Sequence, residues 1–181
     1  TRDGKPSPRS ASLANGGDAI ATMQYGDAAT LWRVNLGLKR RKEEEQQGFV
    51  LDMERGYWAT KKDEEEDSQE PDELSKKTQR VIPYVEDRRN CLLVMPNQTG
   101  SSKFMPSLQA ALKSAIQVCF QLEESELAAE PLPTRKNRNL LLFYESAEGG
   151  AGALRRLMEG PEAWREVPRA ALEICHFDPD T

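Results

Sequence analysis

The sequence predicts an α+β domain, with an α/β arrangement as the alternative, because two apolar runs of strand length are each followed by a helical pattern. Residues 91–95 (CLLVM) lie between Asn90 and Pro96, and residues 139–144 (NLLLFY) form the second run. Continuous apolar runs of this length are typical of buried strands. Strands that alternate with amphipathic helices build layered domains of sheet and helix.

A helix is predicted after the first run, with Pro106 and Ser107 at its start and Ser107 as the N-cap. Apolar residues then recur at steps of three and four, which makes one stripe over about four helical turns. Cys119 lies on this stripe and is interpreted as a small buried hydrophobe. The stripe consists of Leu108, Ala111, Leu112, Ala115, Cys119 and Leu122.

The second run leads through a glycine-rich turn, EGGAG (148–152), into a helical stretch, ALRRLME (153–159). Pro161 suits the first turn of a further helix, and Pro168 would kink or restart that helix. Residues 123–133 fit either a helix end or a short strand. One face of the last helix carries Trp164, Val167, Ala171, Leu172 and Cys175.

The N-terminal part divides into a tail and a strand pair. Residues 1–26 are interpreted as a linker or mobile tail, because they begin with a segment rich in Gly, Pro and Ser. Residues 27–60 are the predicted strand pair, with 48–58 as its second strand and the charged run 39–47 as its hairpin tip. Alternation in the first strand predicts one half-buried face made of Trp32, Val34, Leu36 and Leu38.

Charge is distributed unevenly along the chain. Residues 61–79 are predicted to form an acidic, disordered loop, and the predicted core occupies 80–181. The whole chain has a net charge of −5. A free-standing DNA-binding module usually has an excess of basic residues, so this chain is not expected to hold DNA alone.

The cysteine pattern indicates a reducing, cytoplasmic environment. Cys91, Cys119 and Cys175 are far apart, and their odd number does not suit a disulfide framework. No apolar run approaches the roughly 20 residues that a membrane span needs, so no membrane partner is expected.

Four carboxylates are candidates for chemistry. Glu145 and Glu148 follow the second strand, and Glu86 and Asp87 precede the first. If the fold brings them together, they could hold a divalent metal or act as acid and base. A metal-dependent hydrolase or nuclease is therefore an alternative to a non-catalytic domain.

The turn glycines are interpreted as structural. Gly149, Gly150 and Gly152 join a strand to a helix, where close packing favours residues without bulk. The turn lacks the GxxxxGK[ST] and GxGxxG patterns of phosphate-binding loops.

Basic residues precede both apolar strands and could form one small nucleic-acid-binding patch at a shared edge. Cys175 adjoins the single histidine, His176, which is a weak zinc signal because structural zinc usually has four ligands. The candidate nucleic-acid-binding residues are Arg88, Arg89, Arg135, Lys136 and Arg138.

Four segments resemble a known family. They are RVIPYVEDRRNCLLV (80–94), QLEESELAAEPLP (121–133), LLFYESAEGGAGALRRL (141–157) and ALEICHFDP (171–179). They are similar to the C-terminal zinc-binding domain of MrfA-type superfamily-two helicases, which also occurs in DrmB, a subunit of the DISARM anti-phage system. The motifs FYESAEGGAG and EICHFDP are the most specific.

The resemblance implies a zinc ion and a motor. Such domains end in a cysteine cluster that binds zinc, and Cys175 matches the first position of that cluster. The chain begins at Thr1 and stops just after this motif, so we expect a fragment of a longer chain, with zinc in the full-length protein and not in this segment. ATP is expected on a partner or an upstream motor.

The resemblance predicts a non-catalytic accessory domain or subunit of a superfamily-two DNA helicase or translocase, in bacterial anti-phage defence or DNA repair. Its expected partners are the helicase and, within the complex, DNA. A structural protein-interaction module, with residues 61–77 as the contact, is a further alternative.

Overall fold

The computed structural model describes residues 9–37, 47–60, 77–98, 100–133 and 137–177. The chain forms two compact units. We call Thr1–Thr30 together with Arg88–Thr181 the core unit, and Leu31–Asp87 the small unit. Two long strands, β2 (Asp18–Val34) and β5 (Tyr84–Pro96), each contribute residues to both units.

The described residues contain a five-stranded and a two-stranded sheet, and the strand order of the larger one is β1-β2-β5-β7-β6. Its pairs β1/β2, β5/β7 and β6/β7 are antiparallel, which confirms an α+β fold. The remaining strands are β1 (Arg9–Asn15), β3 (Phe49–Asp52), β4 (Thr78–Val81), β6 (Leu127–Pro133) and β7 (Arg138–Glu145). The helices are α1 (Phe104–Phe120), α2 (Ala153–Glu159) and α3 (Ala163–Ile174).

The core lies between the large sheet and the three helices. Alternate residues of the central strands are fully buried, as the two-residue period of a strand requires when one face is covered. Helix residues spaced three and four positions apart pack against these buried strand residues. The strands contribute Met23, Tyr25, Leu92, Val94, Leu141 and Phe143, and the helices contribute Leu112, Ala115, Ile116, Leu154, Leu157 and Val167.

Helix α1 confirms the predicted stripe but begins earlier than predicted. It starts at Phe104, and Lys103 is the N-cap without a side-chain hydrogen bond. The N–H of Ser107 already donates to the Lys103 carbonyl, so Ser107 is inside the helix and cannot be its cap. Pro106 falls in the first turn, where its missing N–H costs little.

The interpretation of residues 1–26 as a linker is wrong for the part that the structure describes. β1 pairs with β2 from Arg9↔Tyr25 to Asn15↔Asp18. Gly16 and Gly17 form the two-residue turn between them, with φ of +60° and +103°. Glycine is favoured here for its positive φ, so a composition that resembles a linker belongs to a hairpin. Residues 1–8 lie outside the described residues.

The predicted strand pair over 27–60 also differs. β3 forms its ladder with β4, in the register Phe49↔Val81 to Asp52↔Thr78, and not with the strand that precedes it. The predicted hairpin tip is outside the described residues except for Gln47, and so is the acidic loop up to residue 76. The predicted core boundary at residue 80 is shifted, because the core unit resumes at Arg88.

Helix α3 continues through Pro168 rather than restarting there. Val167 is fully buried, and Trp164 and Ala171 pack against the core. Leu172 and Cys175 are exposed, which contradicts their predicted place on the buried face. Cys175 follows the last helical residue, so the helical period no longer determines its direction.

Candidate functional site

Glu145, the last residue of β7, is a buried carboxylate at the start of the glycine-rich turn. It is 1% exposed. Its Oε1 accepts the N–H of Leu154 at 3.1 Å, and its Oε2 accepts the N–H of Gly152 at 3.2 Å. These are N–H groups at the N-terminus of α2, which have no partner within the helix. Glu145 therefore caps α2 from the preceding strand.

Asn90 joins this carboxylate to the rest of the sheet. Its Nδ2 donates to Glu145 Oε2 at 2.9 Å and to the Gly149 carbonyl at 3.0 Å. Its Oδ1 accepts the N–H of Ala28 at 3.1 Å. One buried amide thus connects β2, β5, β7 and the turn. We call these contacts the Asn90–Glu145 network.

The three turn glycines adopt left-handed backbone conformations, with φ of +79° at Gly149, +60° at Gly150 and +73° at Gly152. A Cβ on Gly150 would overlap the Glu145 carboxylate, whereas one on Gly149 would meet open space. The helix N-terminus is already occupied by the protein's own carboxylate, so the turn is not a phosphate cradle.

Two further groups beside the Asn90–Glu145 network, the Tyr25 hydroxyl and the Cys91 thiol, have raised pKa values and therefore stay protonated. Burial raises the pKa of Tyr25 to about 12, and the charges of Asp27 and Glu145 add to the effect. Burial raises the pKa of the Cys91 thiol to about 11, with Glu145 adding to the rise and Arg89 opposing it. A protonated, buried thiol is a poor nucleophile, so Cys91 serves as a core residue.

The geometry gives no support to the carboxylate site proposed for a hydrolase. The oxygens of Glu145 are engaged by three N–H groups, while Glu148 is exposed. Glu86 and Asp87 belong to the small unit. Within the part of the chain that the structure describes, no three His, Cys, Asp or Glu side chains are grouped to hold a metal.

The predicted basic patch is divided by the direction of the strands. β5 and β7 are antiparallel, with Cys91↔Tyr144 and Val94↔Leu141 in register. Arg88 and Arg89 therefore lie beyond one end of this ladder and Arg138 beyond the other. Along the strands, about 27 Å separate Arg138 from Arg89 and about 31 Å separate it from Arg88, at roughly 3.4 Å per residue. Parallel strands would have brought the three arginines to a shared edge.

Arg88, Arg89 and Arg138 differ in their exposure and in the residues around them. Arg88 is exposed and Arg89 is half-buried. Arg138 lines a shallow cavity of about 420 Å³ between α1 and β6, together with Lys113, Gln109 and Glu130. Arg135 and Lys136 lie outside the described residues.

Cys175 and His176 form an exposed pair just after α3. Cys91 is buried in β5, and Cys119 lies in α1. Structural zinc requires about four ligands in a tetrahedral arrangement. The residues that the structure describes do not fit a complete zinc site, because this end of the molecule offers one cysteine and one histidine.

The sequence of the C-terminal part of the chain matches a known family model. Residues 108–178 match the family model described as the MrfA Zn-binding domain. These residues are therefore similar to an MrfA-type Zn-binding domain. The matched segment extends from α1 past α3, so it includes β7, Glu145, the glycine-rich turn and Cys175. The resemblance to MrfA-type proteins is thereby confirmed for this part of the chain.

The fold is similar to that of a solved helicase. The crystal structure of the DUF1998 helicase MrfA bound to DNA matches with a TM-score of 0.50 over 96% of this chain, at 8% identity. The chain spans 21% of that helicase chain. At this identity the likeness shows the fold alone. No curated protein matches this sequence. Among the described residues, no helix has the length and apolar character that crossing a membrane requires.

Sequence patterns did not identify Asn90 as a functional residue. In the sequence, Asn90 only marks the boundary of an apolar run. Its position next to that run was the available signal, because a polar side chain at a buried strand end needs a partner. The partner, Glu145, is 55 residues away, and local patterns do not identify contacts at that distance.

Proposed function

We propose that this chain is a non-catalytic accessory domain or subunit of a superfamily-two DNA helicase or translocase. The observation that carries the proposal is the match of residues 108–178 to the MrfA Zn-binding domain. Its fold, similar to part of a DNA-bound helicase, supports the same conclusion. ATP is bound by a motor upstream or on a partner, because this sequence has no GxxxxGK[ST] loop.

The chemistry of the candidate carboxylate supports a non-catalytic role for this segment. The Asn90–Glu145 network uses its polar atoms on one another and on the backbone. Such a satisfied buried network makes the sheet and α2 rigid. In the complex, Arg88 and Arg89 at one end of the β5/β7 ladder and Arg138 at the other are proposed phosphate contacts, with Arg135 and Lys136 as further candidates.

The proposed setting is the bacterial cytoplasm, in anti-phage defence of the DISARM type, with a DrmB-like role, or in DNA repair. Zinc is proposed for the full-length protein, with Cys175 as one ligand. Its role would be structural, since four-ligand zinc sites stabilise folds. Metal analysis of the full-length protein tests this, and a zinc-free, folded protein would exclude it.

The function is tested by comparing the chain alone with the full natural protein or complex. We expect the chain alone to lack ATPase activity and to bind DNA weakly, because its net charge is −5. The full assembly should hydrolyse ATP in response to DNA, and removing this chain should reduce unwinding. An assembly without DNA-stimulated ATPase activity, or tight salt-resistant DNA binding by the chain alone, would contradict the proposal.

A further inference from the structure

The small unit exposes an unusual amount of apolar surface. None of its described hydrophobic residues belongs to the buried core of the protein. A two-stranded sheet of this kind is marginally stable unless its apolar face is covered. Its exposed large apolar residues, within the described part of the unit, are Trp32, Val34, Leu36, Met53, Tyr57, Trp58, Ile82, Tyr84 and Val85.

Alternation along two neighbouring extended segments places five of these residues on one face. The rings of Trp32 and Tyr84 are stacked, with centroids 4.8 Å apart and planes inclined by 6°. The N–H of Asn35 donates to the Pro83 carbonyl at 2.8 Å, so the two segments run side by side. Alternation along each extended segment adds further residues to the same face. We call Trp32, Val34, Leu36, Ile82 and Tyr84 the apolar stripe.

The composition of the stripe is typical of a protein interface. Contiguous exposed apolar patches mark sites of association, and tryptophan and tyrosine are enriched at the centres of protein–protein interfaces. The polar residues that alternate with the stripe, such as Arg33 and Asn35, are exposed as well. Alternation places these residues on the opposite face of the strand, so they do not interrupt the apolar face.

Charge favours a protein over a nucleic acid. The described part of the small unit has four basic and four acidic side chains. The remaining runs of this unit, 38–46 and 61–76, together contain seven basic and eleven acidic residues in the sequence, so the basic run at 39–42 is outweighed. Stacking surfaces for single-stranded DNA combine aromatic rings with a basic groove, and this balance does not provide one. The complementary partner is a protein surface with an apolar centre and basic residues around it.

We propose that the apolar stripe is the surface on which this chain docks against the motor part of its helicase. This proposal rests on the proposed function, and it names the surface that mediates it. The chain spans 21% of a DNA-bound helicase of similar fold, so an accessory unit of this size has a much larger protein body to contact. Covering the stripe would bury both stacked rings.

A photo-crosslinker tests the proposal in the full protein or complex. p-Benzoylphenylalanine is placed at Val34 on the stripe, and at Ile20 in the core unit as a control, because these residues are 51% and 52% exposed. We expect mass spectrometry to find the Val34 cross-links in peptides of the ATPase motor, at least ten times more often than those from Ile20. Equal capture at both positions, or capture of DNA or a second copy of this chain by Val34, would overturn the proposal.

A matched pair of variants gives a second test. Trp32→Ser removes a stacked ring of the stripe, and Trp58→Ser removes a ring of equal exposure that contacts Phe49 instead. We expect Trp32→Ser to weaken binding of the motor about tenfold, and Trp58→Ser to leave it unchanged, with circular dichroism confirming that both are folded. If both variants bind the motor like the wild type, the stripe is not the docking surface.

The two proposals can fail separately. DNA-stimulated ATPase activity of the wild-type assembly tests the function and does not depend on the crosslinker. An active assembly in which Val34 does not reach the motor would retain the function and exclude this surface. An assembly with no motor would exclude both.

Discussion

At the scale of single residues, the structure gives one carboxylate a role that differs from the role predicted from the sequence. Glu145 is one of the four carboxylates that the sequence singles out for acid–base or metal chemistry, and the structure makes it the cap of α2. Three N–H groups point at its two oxygens, including one from Asn90. A carboxylate that satisfies buried donors contributes to stability through charge-assisted hydrogen bonds, so its removal should affect folding rather than turnover.

Glu145→Ala is expected to lower the free energy of unfolding by about 2–4 kcal/mol, because it removes the acceptor of three N–H groups, two of which are buried. Glu148→Ala, at an exposed position of the same turn, should change it by less than about 0.5 kcal/mol. Urea denaturation measures both. If Glu145→Ala keeps full stability but abolishes a metal-dependent nicking of plasmid DNA, the hydrolase alternative is correct instead.

Alkaline pH should destabilise the fold through Tyr25 and Cys91. Their pKa values rise from 10.0 to about 12 and from 9.0 to about 11 on folding. The stability that these two groups contribute to the fold is therefore fully present below pH 9. It is lost as the pH rises toward 12, since the unfolded chain releases these protons first. Denaturation midpoints measured across this range should fall, and Tyr25→Phe should reduce the fall above pH 10. An unchanged profile in that variant would contradict the assignment.

At the scale of elements, the junction between β7 and α2 is the most specific part of the fold. The sequence motif around it combines a strand end, a carboxylate and three glycines. The structure shows why: the backbone turns through positive φ at each glycine, and Gly150 lies against the carboxylate. The motif therefore has a structural explanation that needs no ligand.

Gly150→Ala and Gly149→Ala separate two requirements for glycine in this turn, the positive φ and the close approach to the Glu145 carboxylate. Both replacements cost about 1 kcal/mol, because alanine disfavours positive φ. Gly150→Ala should cost a further 1–3 kcal/mol or so, since its Cβ displaces the Glu145 carboxylate. Thermal or urea unfolding compares the two variants. Equal losses would mean that the turn adjusts without disturbing the Asn90–Glu145 network.

At the scale of the whole molecule, the two units have different sources of stability. The core unit has a packed apolar centre, whereas the described small unit places no hydrophobic residue in that core. Local opening requires less free energy where few apolar side chains are buried. The small unit is therefore expected to depend on a partner for its rigidity.

Amide hydrogen exchange should reveal this difference. In the chain alone, the amides of β3 and β4 should exchange at least a hundredfold faster than those of the β5/β7 ladder, because the opening free energies differ by roughly 3 kcal/mol or more. In the full assembly, the small unit should gain protection. Equal exchange in both units of the isolated chain would show that the small unit is stable by itself.

The local patterns of the sequence determined a large part of this protein. Apolar runs located β5 and β7, and three- and four-residue spacing located α1, because burial on one face imposes those periods. The glycine-rich motif located the β7–α2 turn, and the resemblance to MrfA-type domains is confirmed over residues 108–178.

Tertiary structure alone decided which strands pair and which faces are covered. An apolar run has the same composition in a parallel and an antiparallel sheet, so only the β5/β7 pairing separates Arg88 and Arg89 from Arg138. The N-terminal hairpin joins a sheet whose β5 core residues are about 70 positions further along the chain, a distance over which no local pattern extends. The alternation at Trp32 and Val34 predicts a face suited to burial, but whether another surface covers that face depends on contacts remote in sequence or in another protein.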